Sequence, residues 1–161
     1  MNAHSPVHGP AAPRAGAGIS SLVLVAAGSF GARLGAGPVT AAIAAGVRAS
    51  GRWEVDECPL PAGAARREPR ALLEALGFDA RLRRARAVVV AGRTLQERTL
   101  AGSVPFEIAT TARQAGVPAY AVAARERLGA FDARMLDLQV VIEAADAPAL
   151  EAAGRRLAEL L

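Results

Sequence analysis

The sequence Leu-Val-Leu-Val-Ala-Ala-Gly-Ser at residues 22–29 carries the clearest signal of the fold. Residues 22–27 are apolar at every position, so both faces of a strand there would be buried. This pattern is typical of a central strand in a parallel sheet that helices cover on both sides. The run is too short to span a membrane, which needs about 20 apolar residues in a row, and a glycine-rich segment follows at once. We therefore expect a strand and a turn of a soluble, cytoplasmic protein rather than a signal peptide or a membrane anchor.

Beyond this stretch, short runs rich in β-branched residues alternate with longer Ala-rich amphipathic segments. The alternation predicts an α/β protein with a three-layer, Rossmann-like fold, in which a mostly parallel sheet of about five strands has helices on both faces. The length of 161 residues suits one domain. We place that domain at residues 19–161, after a disordered tail at residues 1–18 that is rich in Pro and Gly.

Local patterns predict the position of each element. Further strands are expected at residues 53–58, 87–90, 117–123 and 138–142. Helices are expected from Pro38, around residues 72–76, at 105–115 and 131–136, and after Asp146, which can cap the last helix. In that helix the side chains expected to face inward are Leu150, Ala153, Leu157 and Leu160.

The composition excludes several kinds of site. All 19 basic residues are arginine, against 15 acidic residues, so the net charge is +4 and no lysine is present for catalysis. Both histidines lie in residues 1–18, which excludes a histidine base or ligand in the folded part. The single cysteine, Cys58, allows no intramolecular disulfide, and we expect it to be a small buried side chain. We predict no metal site.

The turns after the first and third strands are the candidate sites, because ligands of parallel sheets bind at the carboxyl ends of strands. In the first turn, Gly28 would let backbone N–H groups approach a phosphate, while Ser29 and Arg33 would add a hydroxyl and a positive charge. The pattern is neither a dinucleotide-binding G-x-G-x-x-G motif nor a P-loop. Phosphate binding and an ordinary glycine-rich turn both stay open.

The second turn, at residues 92–103, is the richer candidate, because it is polar and lies between a buried strand and a helix. Its carboxylate, Glu97, is the only one between Asp79 and Glu107. A solvated loop with one surface carboxylate is the alternative to an anion site. The residues of this turn that could contact an anion or phosphate are Gly92, Arg93, Thr94, Glu97, Arg98, Thr99 and Ser103.

Motifs at several places in the chain resemble those of the glycerate kinase family. The similar segments are residues 23–30, residues 76–82, then Leu95, Glu97, residues 99–100, Gly102 and Pro105, and finally residues 116–118. The resemblance implies a Rossmann-like half-domain and ATP-dependent phosphorylation of glycerate, with ATP and Mg²⁺ as the implied cofactors. It also implies a truncated, divergent member, because the family's inserted second domain is skipped near residues 66–70.

The departures from the family motifs predict impaired catalysis. Gly28 and Gly31 stand where the family carries an acid and a lysine, residues 91–96 lack the family's Glu and Asp, and Ser103 replaces its Lys. Phosphoryl transfer depends on such cations and carboxylates to hold Mg²⁺ and offset phosphate charge. We therefore assign no catalytic residue and expect at most binding of a small anionic metabolite or a nucleotide. Two alternatives stay open, namely an active kinase and one half of a split kinase that needs a partner chain.

The distribution of basic residues bears on other partners. Seven arginines could form a basic stripe for nucleic acid, namely Arg66, Arg67, Arg70, Arg81, Arg83, Arg84 and Arg86. Aromatic residues for base stacking make up only 4% of the chain and no nucleic-acid motif is present, so we do not expect this partner. The surface left uncovered by the skipped domain leaves a homodimer open.

Overall fold

The computed structural model describes residues 20–96 and 102–161. Within them, the strands are β1 (Leu22–Ala27), β2 (Glu54–Pro59), β3 (Ala87–Gln96), β4 (Ala119–Arg127) and β5 (Leu138–Glu143). The helices are α1 (Ala36–Arg48), α2 (Pro69–Ala75), α3 (Phe78–Arg84), α4 (Val104–Gln114), α5 (Ala130–Met135) and α6 (Ala147–Leu160), with a single 3₁₀ turn at Ala64–Arg66.

The five strands form one sheet in the order β2-β1-β3-β4-β5, and every neighbouring pair is parallel. Apolar residues of α1 and α6 pack on one face of the sheet, and those of α2, α3 and α4 pack on the other. The predicted α/β class, with three layers and helices on both faces, is confirmed.

Strand β1 occupies the interior of the sheet. Val23 and Val25 pack on the side of α1 and α6, whereas Leu24 packs on the side of α2, α3 and α4. All residues from Val23 to Ala27 are fully buried. Burial of each Val or Leu side chain contributes about 1.5 to 3 kcal/mol to the stability of the fold. Strand β1 therefore stabilises the packing of both helical layers on the sheet.

Strand β3 is longer than the sequence pattern indicates. The apolar run ends at Val90, yet the strand continues to Gln96, because Gly92 and Thr94 pair with Ala123 and Arg125 of β4. The first part of the predicted polar turn is therefore strand. The pairing partner, β4, likewise extends beyond the predicted end at residue 123.

Helix α3 was not predicted. Gly77 ends the preceding helix in the left-handed region, with a φ of 61°, and the chain turns there into a second short helix. Phe78 and Leu82 lie one turn apart on α3 and are both buried.

The prediction that Leu160 faces inward on α6 was wrong, because its side chain is 46% exposed near the end of that helix.

Several other expectations have definite outcomes. Asp146 caps α6 by accepting a hydrogen bond from the N–H of Ala149, as predicted. Cys58 is buried, and this burial raises the pKa of its thiol. In residues 20–96 and 102–161, no helix is long and apolar enough to cross a membrane. The predicted tail at residues 1–18 lies outside the described residues, as do Glu97, Arg98 and Thr99.

Candidate functional site

The order in which strands are added to the sheet reverses at β1. The chain places β2 on one side of β1 and then crosses back to place β3 on the other side. Such a switch point leaves a crevice at the carboxyl ends of the strands. The strand ends are tied together there. The N–H of Gly28 donates to the carbonyl of Ala91 at 2.9 Å, and the N–H of Leu60 donates to the carbonyl of Ala27 at 2.8 Å.

A cleft of about 880 Å³ opens at this point. Three parts of the chain form its walls: the turn after β1 with the start of α1, the segment that follows β2, and the end of β3 with the start of α4. The side chains on the β2 side are mostly apolar or small, namely Leu60, Pro61, Ala62, Ala64 and Ala65. The two turns predicted from the sequence thus belong to one cleft.

Most of the predicted site residues that the structure describes line this cleft. They are Gly28, Ser29, Gly92, Arg93, Thr94 and Ser103. Arg33 is exposed and is not part of the cleft wall. Glu97 and Thr99 lie outside the described residues, so their part in the site stays a prediction.

Arg93 lies beside the first turn. A Cβ atom placed on Gly31 would be 3.9 Å from Cζ of Arg93, so the guanidinium packs over the backbone of that turn. Gly31 has a φ of +112°, which side chains rarely tolerate. This glycine therefore supplies the turn conformation beside which Arg93 packs.

Two helices begin in the cleft wall. Helix α1 starts at Ala36 without a side-chain cap and without an acidic residue in its first turn, so its end keeps the partial positive charge of free N–H groups. Helix α4 is capped by Ser103, whose Oγ accepts from the N–H of Phe106 at 3.3 Å. The hydroxyl of Ser103 therefore has a structural role in addition to its place in the wall.

Arg67 was missed as a site residue. It lines the cleft from the segment after β2, whereas the sequence pattern indicates only that it could belong to a basic stripe. The available signal was its position after a strand that ends at the same edge of the sheet as the two turns. Two other members of the stripe are paired: Arg81 donates to both carboxylate oxygens of Asp56, and Arg70 lies 3.3 Å from Glu107.

The polar side chains of the described cleft wall suit an anion and do not fit Mg²⁺. The described residues that line it include the guanidinium groups of Arg67 and Arg93 and no carboxylate, whereas Mg²⁺ in proteins is held by oxygen ligands that include carboxylates. Across residues 20–96 and 102–161, no group of three or more His, Cys, Asp or Glu residues is placed to hold a metal ion.

Comparison with protein families identifies this domain. The model of the glycerate kinase family matches residues 62–161, which is more than half of the 161 residues. The chain belongs to the glycerate kinase family. Membership indicates a kinase-like function, and it confirms the resemblance for the part of the chain from the cleft segment after β2 to α6. The family match does not include the turn after β1 that holds Gly28 and Ser29. No curated protein matches the sequence.

Proposed function

We propose that this glycerate kinase family domain binds an anionic metabolite or a nucleotide in its cleft and has lost most of its phosphoryl-transfer activity. The observation that carries the proposal is the composition of the described cleft wall, where Arg67 and Arg93 supply positive charge and no carboxylate is present. Such a wall favours binding of an anion over handling of a metal-bound phosphate.

The loss of activity follows from the charges that phosphoryl transfer needs. In kinases and ATPases, metal ions and cationic side chains offset the charge that spreads over the moving phosphoryl group. Loss of a single electrostatic contact of this kind costs about 10² to 10³ in rate. The end of β3 carries Gly92 and Gln96 in place of the two acidic residues of the family motif, so several such contacts are changed together.

A kinase assay tests the loss of activity. The purified full chain is incubated with ATP, Mg²⁺ and D-glycerate, with an active glycerate kinase as the positive control. We expect turnover far below ~1 s⁻¹, the lower end for kinases. Turnover near that value would overturn the proposed impairment and favour the active-kinase alternative.

Calorimetric titration tests the binding. ATP, ADP, D-glycerate and the phosphoglycerates are each titrated into the wild-type chain and into Arg93→Gln. We expect at least one ligand to bind and Arg93→Gln to weaken it about 10- to 100-fold, as for the loss of a charged hydrogen bond. The matched control is Arg83→Gln, which removes the same charge from an exposed position on α3. Failure of every ligand to bind would contradict the proposal, and so would equal weakening by both variants.

A further inference from the structure

We infer that Arg67 and Arg93 together neutralise the charge of the bound anion in place of a divalent cation, so that binding in the cleft does not depend on Mg²⁺. The inference rests on the proposed function and deepens it, because it specifies how the site recognises its ligand. It assigns Arg67 to the site and predicts a metal requirement opposite to that of a kinase that uses Mg·ATP.

The two arginines belong to parts of the cleft wall that lie on different sides of β1. Arg93 belongs to β3, which pairs with one edge of β1, and Arg67 follows β2, which pairs with the other edge. Both line the same cleft as Gly28 and Ser29. The wall of this cleft therefore carries a guanidinium group on each side of β1.

Neither guanidinium is neutralised by an acidic side chain in the described part of the chain, where the ion pairs join Arg48 to Glu57, Arg70 to Glu107, Arg81 to Asp56 and Arg155 to Glu151. A guanidinium group offers planar, paired N–H donors that match two oxygens of a phosphate or a carboxylate. Within residues 20–96 and 102–161, no acidic side chain therefore occupies the donors of Arg67 or Arg93.

Other parts of the cleft wall also favour an anion over Mg²⁺. The uncapped start of α1 adds partial positive charge at Ala36 in the cleft wall. Leu60 and Val104 contribute apolar surface to the same cleft, whereas Arg67 and Arg93 are exposed to solvent. Mg²⁺ would have to enter this positive field without a carboxylate ligand from the described wall.

The test uses the full chain and inorganic pyrophosphate as the probe. Calorimetric titrations are run in EDTA and in MgCl₂ at constant ionic strength. The dissociation constant is calculated from the concentration of pyrophosphate that is not complexed with Mg²⁺. We expect pyrophosphate to bind in EDTA, with no gain in affinity when Mg²⁺ is added. Arg67→Gln and Arg93→Gln are each expected to weaken binding about 10- to 100-fold. The controls are Arg66→Gln and Arg83→Gln, which remove exposed charges outside the cleft wall and should change affinity less than about twofold.

Each outcome decides the matter. Binding that needs Mg²⁺ would overturn the inference and leave the proposed function in place. A normal affinity in Arg67→Gln would overturn the two-arginine arrangement. Absence of pyrophosphate binding both in EDTA and in MgCl₂ would overturn the inference, whereas failure of every metabolite and nucleotide to bind would overturn the proposed function.

Discussion

Gly46 of α1 and Gly154 of α6 lie against each other where the two helices cross. A Cβ atom added to Gly46 would be 2.9 Å from Cα of Gly154, and one added to Gly154 would be 3.0 Å from Cα of Gly46. Each added atom would also overlap a carbonyl oxygen of the facing helix, that of Glu151 or that of Ile43. The absence of two side chains therefore lets both helices pack closely on one face of the sheet.

A methyl group at this crossing should destabilise the fold. Gly154→Ala places its Cβ against backbone atoms that cannot turn away, so the helices must separate. We expect the free energy of unfolding to fall by about 1 to 3 kcal/mol, as for overpacked cores, measured by urea denaturation. The matched control is Gly37→Ala on α1, where an added Cβ meets nothing within 4 Å. Alanine favours helix, whereas a Cβ on the residue before Pro38 is disfavoured in a helix, so this control should destabilise the fold less than Gly154→Ala. Equal effects of the two substitutions would contradict the assigned contact.

Gly31→Ala should weaken both the turn and the ligand site. The φ of +112° at Gly31 is costly for alanine, and strain of this kind costs about 1 to 3 kcal/mol. The new methyl would also lie beside the guanidinium of Arg93. We expect lower stability in urea together with reduced affinity for pyrophosphate. A variant that retains wild-type affinity would show that the position of Arg93 does not depend on this turn.

The ion pair between Arg81 and Asp56 should stabilise the fold more than a surface pair. Arg81 donates from Nε and NH2 to the Asp56 carboxylate at 3.2 and 3.0 Å, and the two side chains are only 30% and 23% exposed. A double-mutant cycle with Asp56→Asn and Arg81→Met should give a coupling energy of about 1.5 to 3 kcal/mol, as for charged hydrogen bonds.

The control cycle uses Arg155 and Glu151, which form an ion pair one turn apart on the exposed side of α6. Its coupling should be about 0.3 to 0.5 kcal/mol. Similar values in the two cycles would mean that partial burial and two-point contact do not strengthen the Arg81–Asp56 pair.

Glu68 should make the stability of the domain depend on pH. Its carboxylate accepts hydrogen bonds from the N–H groups of Ala71 and Arg70 at the start of α2, and these bonds hold the pKa of Glu68 below its usual range. A pKa that is lower in the folded than in the unfolded state gives stability that is present above the unfolded pKa and is lost as pH falls through the folded one.

The test compares wild type with Glu68→Gln by urea denaturation across the acidic range. Wild type should be the more stable chain at neutral pH, and the difference should shrink as the carboxylate is protonated. Glu74→Gln, at an exposed position of the same helix, is the charge-matched control. A difference that stays constant down to the lowest pH would show that ionised Glu68 is not what stabilises the helix start.

Much of the architecture could be predicted because it depends on local patterns. The apolar run at residues 22–27 indicates a strand with both faces buried, and the alternation of strands and helices indicates parallel pairing. Asp146 could be assigned as a helix cap because capping involves the next few residues only. The two glycine-containing turns could be paired because parallel strands end at one edge of the sheet.

Longer-range arrangements required the folded chain. The extension of β3 to Gln96 depends on hydrogen bonds to β4, which override the polar character of the segment. Arg67 and Arg93 are 26 positions apart, and they line one cleft only because crossover connections place β2 and β3 on either side of β1. Gly46 and Gly154 look like ordinary helix-weakening residues in the sequence, and their function arises from the contact between two helices. Local hydrogen bonding and apolar periodicity thus specify the elements, whereas burial and pairing between distant segments decide the site.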